Sequence, residues 1–144
     1  MSLLRLAQVP PPIVAPDVTV MDAVSVMARA QVGAVAVVEK GDLQGIFTER
    51  DLMLRVVKQR RDLDATLVRD VMTAEVKTIT EGYTPEEASS VMLAGHLRHL
   101  PILSGDGQLL GLLSMRQLLE DRLQDLTQEV SSLEQYMAND GPGG

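Results

Sequence analysis

Apolar positions along this chain follow one pattern twice. Val20, Val24 and Met27 fall at i, i+4 and i+7, the spacing of one helix face. Ala34–Val38 is an unbroken apolar run suited to a buried strand; the turn Glu39-Lys40-Gly41-Asp42 and a second strand, Leu43–Phe47, follow it. Thr48 then opens a helix carrying Leu52, Met53 and Val56. Downstream the order recurs: a helix near Pro85–Ala94, a strand over Leu100–Leu103, the turn Ser104-Gly105-Asp106-Gly107, a strand over Leu109–Leu113, and a helix from Ser114. Pro85 suits a first helical turn, where its missing N–H costs nothing, and Thr84 with Glu87 has capping-box spacing. Helix–strand–strand–helix, twice over, predicts an α/β fold.

The recurrence extends to residue identities. A shift of 65 places Thr19 on Thr84, Ala23 on Ala88, Ser25 on Ser90, Val26 on Val91 and Met27 on Met92. One extra residue in the second turn makes the shift 66, and then Leu43 meets Leu109, Gly45 meets Gly111, Arg50 meets Arg116 and Leu52 meets Leu118. Small duplicated units pack on each other because neither buries its apolar face alone. Beyond the second copy, Leu119, Leu123, Leu126, Val130, Leu133 and Met137 step by 4, 3, 4, 3, 4, nearly three heptads of an a/d seam. Such a stripe either packs back on the body or pairs with a second chain. Residues 139–144, Asn-Asp-Gly-Pro-Gly-Gly, are expected to end the helix as a disordered tail.

Charge and composition narrow the classes. The net charge is −7, and residues 119–144 hold six acids against Arg122 alone, so the body is close to neutral. Without basic clusters or stacking aromatics (2 % of the chain), nucleic acid is a poor partner. Absent cysteines exclude disulfides, thiolate metal sites and thiol nucleophiles. No apolar run reaches the ~20 residues of a membrane span. The expectation is a soluble, cytoplasmic protein.

Three segments, VGAVAVVEKGDLQGIFTERDLMLRVV, VRDVMTAEVKTI and RHLPILSGDGQLLGLLSMRQLL, resemble tandem CBS repeats, the family named after cystathionine β-synthase. The resemblance spans about residues 8–120 and rests on the ordered VMT lead-in, apolar strand, G-h-h-[ST]-x-x-D step and 65-residue spacing. It implies repeats over residues 8–64 and 65–120, paired about a pseudo-twofold axis; beyond them the heptad spacing predicts a helical extension at 121–138 and the tail at 139–144. It also implies two inter-repeat clefts for adenosine-containing ligands, AMP, ADP or ATP, and an output delivered to a partner protein.

By resemblance, Asp51 accepts the ribose hydroxyls in the main cleft, beside Ile46, Thr48 and Arg50. The other repeat supplies Lys77, Thr78 and Thr80 from its short first strand, and Arg98, His99 and Arg116 for phosphate, where guanidinium forks suit bidentate contacts. Members of the family often carry the basic pair as His-Arg; here it is Arg98-His99. The second cleft comprises Val14, Gly33, Ala34, Ser114 and Gln117. Gln117 stands where the acid is expected, and Gly33-Ala34 brings no charge, so two unequal clefts are expected. Residue spacing alone leaves another reading open: Thr48-x-x-Asp51 and Ser114-x-x-Gln117 both suit capping boxes.

No Walker loop, G-x-G-x-x-G or nucleophile–base pair occurs, and His96 and His99 have no acidic or histidine partner nearby in sequence. The sequence therefore predicts a regulatory module in signal transduction, with no catalytic residue and no metal. It is expected to sense an adenine nucleotide, form a homodimer and act on a partner in trans. The alternatives are a dimerising scaffold with vestigial clefts and a sensor of another adenosyl ligand, S-adenosylmethionine or NAD(H).

Overall fold

Capping chemistry sets where the helices begin. The computed structural model describes residues 3–139. Helix α1 (Val20–Ala30) starts at Thr19, whose hydroxyl accepts the Asp22 N–H at 3.2 Å while the Asp22 carboxylate accepts the Thr19 N–H at 3.3 Å. Helix α3 (Pro85–Gly95) starts identically at Thr84 and Glu87, both bonds 3.1 Å long. Each ends on a left-handed residue at the same repeat position, Gln31 (φ 56°) and His96 (φ 54°). Helix α2 opens with the single α-turn Glu49–Asp51 and continues as the π-helix Leu52–Val57, which the sequence pattern did not distinguish from an ordinary helix. Helix α4 runs over Met115–Asn139.

Two three-stranded sheets carry the same plan. Strand β1 (Ile13–Val14) lies parallel to β2 (Ala34–Glu39), which is antiparallel to β3 (Asp42–Thr48). Strand β4 (Ile79–Thr80) lies parallel to β5 (His99–Leu103), which is antiparallel to β6 (Leu109–Ser114). The register slips at corresponding places, between Val37 and Val38 and between Ile102 and Leu103. The expected α/β fold of two paired repeats is the fold observed.

Each sheet is completed by chain from outside its own repeat. The Ile46 and Thr73 N–H groups donate to each other's carbonyls, both at 2.9 Å, joining the segment after α2 to β3. In the second half Gln8 and Leu112 pair likewise, at 2.9 and 3.2 Å, joining the N-terminal segment to β6. Side chains follow the backbone. Val68 and Val71 are buried in the first core with Val20, Val35, Phe47 and Val56. Leu3, from the short helical turn Leu3–Leu6, is buried in the second with Met92, Leu100, Ile102 and Leu113. A small cluster of Ala34, Ile46 and Leu112 seals the line between the repeats.

Leu118 anchors α4 in the second core, and Arg5 and Asp121 pair beside it at 3.2 Å. Beyond that root the predicted seam is open: Leu119, Leu123, Leu126, Val130, Leu133 and Met137 are 46–70 % exposed. Of the two destinations for the seam, packing back on the body is not the one taken. Asn139 is the last helical residue instead of the first of a disordered tail, and residues 140–144 lie outside those described. No helix among the described residues is long and apolar enough to cross a membrane.

The close approach at β3 gives a direct test. A Cβ on Gly45 would sit 2.5 Å from the Thr73 carbonyl oxygen and 2.9 Å from Met72 Sδ, whereas one on Gly111 would be 3.1 Å or more from its neighbours, Val9, Gln8 and Leu4. Gly45→Ala must push backbone from backbone and is expected to cost ~2 kcal/mol or more, with Gly111→Ala costing about half as much or less. Urea unfolding of the two variants measures the difference; equal losses would contradict the closer packing at Gly45.

Candidate functional site

The segment Gly45–Asp51 turns from strand to helix, and its polar atoms are largely engaged. The Asp51 N–H donates to Thr48 Oγ1 and the Thr48 N–H donates to Asp51 Oδ2, both at 3.1 Å, a complete capping box. Asp51 Oδ1 accepts the Thr73 hydroxyl at 3.0 Å and lies 3.7 Å from Arg55 Nε. Arg55 is held in turn by the Met72 carbonyl at 2.7 Å. Asp51 is only 6 % exposed and is the one buried charged residue among those described. A carboxylate has about four acceptor positions, so capping and the Thr73 contact leave lone pairs unused.

The second half builds the corresponding corner without charge. Gln117 Oε1 accepts the Ser114 N–H at 2.9 Å and the Ser114 hydroxyl at 3.1 Å, and Ser114 Oγ accepts the Gln117 N–H at 3.1 Å. In both halves the first helical N–H reaches back to the loop before the sheet: Glu49 to the Gly33 carbonyl at 3.0 Å, Met115 to the Arg98 carbonyl at 2.8 Å. That bond fixes the bases of Gly33 and Arg98 beside the helix starts.

Between the halves lies a cavity of about 840 Å³. Arg98, His99 and Arg116 line it together with Gly33, Ser114 and Gln117, so residues read as belonging to two clefts meet in one space. Glu49, Glu120, Gln8 and Gln31 also face it; spacing gave no reason to single them out, although Glu49 and Glu120 each lie one turn or less from a named residue. Arg116 is well exposed and pairs with Glu120 at 2.9 Å. The other named residues lie elsewhere. Val14, Ala34 and Ile46 are buried in apolar clusters, Lys77, Thr80 and Arg50 are exposed, and Thr78 borders a smaller depression with Gly45. Sequence reading also passed over Thr73 and Arg55. The VMT lead-in and the i, i+4 spacing from Asp51 were the available signals.

His99 sits at the mouth of β5, opposite Ser114 in register. Burial lowers its pKa from the ordinary 6.5; the nearby Glu49 carboxylate opposes the shift and Arg98 adds to it. His96, at the left-handed end of α3, joins no metal-binding group, and none of three or more His, Cys, Asp or Glu occurs among the described residues.

Two capped α/β repeats that share a cavity and lend each other a strand-edge partner define a paired-repeat module. The CBS domain family matches residues 5–58 and 68–123, so the chain belongs to that family and carries two copies of its repeat. The CBS domain-containing protein YhcV of Bacillus subtilis is 36 % identical over 110 residues, covering 76 % of this chain and 77 % of that one. A solved protein with CBS domains from Burkholderia ambifaria is 32 % identical, covering 87 % of this chain and 96 % of that one with a TM-score of 0.78. A CBS domain protein of Pyrobaculum aerophilum, solved in complex with AMP, shares the fold at 24 % identity and a TM-score of 0.73, covering 81 % and 89 %. The chain spans 54 % and 61 % of the length of two other curated relatives, one from Methanopyrus kandleri and one from Arabidopsis thaliana. CBS pairs typically bind adenosine ligands as regulatory modules.

The lowered pKa of His99 has a stability consequence. Between that lowered value and 6.5 the unfolded chain binds more protons than the folded one, so folding is favoured as pH rises and weakened as pH falls through that window. The wild type is expected to lose more thermal stability between pH 7.5 and 5.5 than His99→Gln. Parallel melting-temperature profiles for the two would show that His99 carries no such linkage.

Proposed function

We propose that this chain is a regulatory sensor of an adenine nucleotide, AMP, ADP or ATP, acting on a separate partner protein without catalysing a reaction of its own. The observation that carries the reading is the meeting of Arg98, His99 and Arg116 in one inter-repeat cavity, a setting suited to phosphate. Asp51, which does not itself line that cavity, is assigned to the ribose and is supported by its unused lone pairs. Gln117 offers no carboxylate, so its side of the cavity is assigned the weaker site. The engagement of Asp51 with Thr48, Thr73 and Arg55 favours a second reading, a scaffold whose clefts bind nothing. A homodimer is part of the proposal, supported by the open a/d seam of α4, and so is a cytoplasmic setting, in keeping with the absence of cysteine.

A thermal-shift series with AMP, ADP, ATP, NAD(H) and S-adenosylmethionine separates these readings. A ligand at 100 times its Kd adds about 2.7 kcal/mol, a rise of roughly 5–10 °C for a domain of this size. No shift with any of them leaves the scaffold. Asp51→Asn keeps a side-chain oxygen that can accept the Thr48 N–H and removes the charge. It is expected to weaken nucleotide binding tenfold or more by calorimetry, against less than threefold for Gln117→Ala; equal losses would refute the unequal assignment. Light scattering is expected to show a dimer that Leu126→Glu with Leu133→Glu converts to monomer, and an unchanged mass would remove α4 from the interface.

A further inference from the structure

Among the described residues, Glu49 is the one acid lining the cavity that has no ion-pair partner, and its charge opposes the ligand just proposed. Gly33 leaves room for it: a Cβ there would lie 3.2 Å from Glu49 Oε1 and 3.5 Å from His99 Cε1, so the carboxylate and the imidazole approach each other across the bare glycine. The other acid, Glu120, is tied to Arg116. Arg98 has no carboxylate partner among the described residues. The two guanidiniums of the cavity thus face two carboxylates, and burial favours the neutral form of His99.

The asymmetry lies in the repeats themselves. The residue corresponding to Glu49 is Met115, and the one corresponding to Arg98 is Gly33. One half therefore contributes a free cation and the other a free acid to the same mouth. A single phosphate is matched by Arg98. Two further phosphates bring about two more negative charges into the cavity that the Glu49 carboxylate lines, and like charges repel there. Specificity can rest on such a repulsive element as much as on an attractive one.

We propose that Glu49 determines specificity by charge: the cavity admits an adenosyl ligand with one phosphate and rejects the polyphosphate. This inference rests on the nucleotide reading above and goes further by excluding ATP as the preferred ligand. Calorimetry with AMP and with ATP, without divalent cations, on the wild-type chain and on Glu49→Gln tests it. The wild type is expected to bind AMP at least tenfold more tightly than ATP. Glu49→Gln is expected to narrow that ratio about tenfold, chiefly by tightening ATP. A merely structural Glu49, acting on the start of α2, would lower the melting temperature and shift both affinities by one factor; that result overturns the proposal. ATP binding as tightly as AMP to the wild type overturns it too, while leaving the nucleotide reading intact. If neither nucleotide binds, the nucleotide reading itself fails and the proposal with it.

Discussion

Two backbone exchanges hold this architecture together: Ile46 with Thr73, and Gln8 with Leu112. Each caps the free edge of a three-stranded sheet with chain that lies outside that sheet's own repeat. The edge would otherwise present unpaired N–H and C=O groups. Because the N-terminal segment closes the second sheet, residues more than 100 positions apart must meet before the second core is complete. The repeats are thus coupled in folding as well as in sequence. The same bonds tie one repeat to the other beside the cavity that the two halves share.

Asp51 shows how one residue can serve fold and site together. Its carboxylate caps α2, accepts the Thr73 hydroxyl from the exchanged segment, and pairs with Arg55 one turn further on. The π-helical stretch follows directly, a geometry often found at functional positions. The first half thereby stores a buried charge at the junction of its cap, its core and its neighbour's chain. The second half meets the same geometric need with the neutral Ser114–Gln117 pair. Near-identical backbones thus carry different electrostatics.

The charges of the chain separate along its length in a similar way. Acids concentrate on α4, which leaves the body through Leu118 and then exposes both its charges and its apolar seam. The body keeps a near balance, and two acids and two guanidiniums line the cavity. Affinity for an anion there depends on local placement more than on net charge.

Periodicity and self-similarity in the sequence determined the fold class, the order of elements, both pairs of helix starts and the heptad seam, because these depend on contacts within a few residues. The G-h-h-[ST]-x-x-D step also marked the capping corners at Thr48 and Ser114, since a cap is a local bond. What only the tertiary structure decided is which distant groups meet. It brings Thr73 to Asp51, sets Glu49 against His99 across Gly33, buries Ala34 and Ile46 together, and leaves α4 unpacked. Each outcome depends on how two similar halves interlock through exchanged segments, and spacing within either half carries no record of that. The sequence therefore named the paired repeats and the acid present at Asp51 but replaced at Gln117, while the packing of one repeat on the other decided what surrounds each of the two.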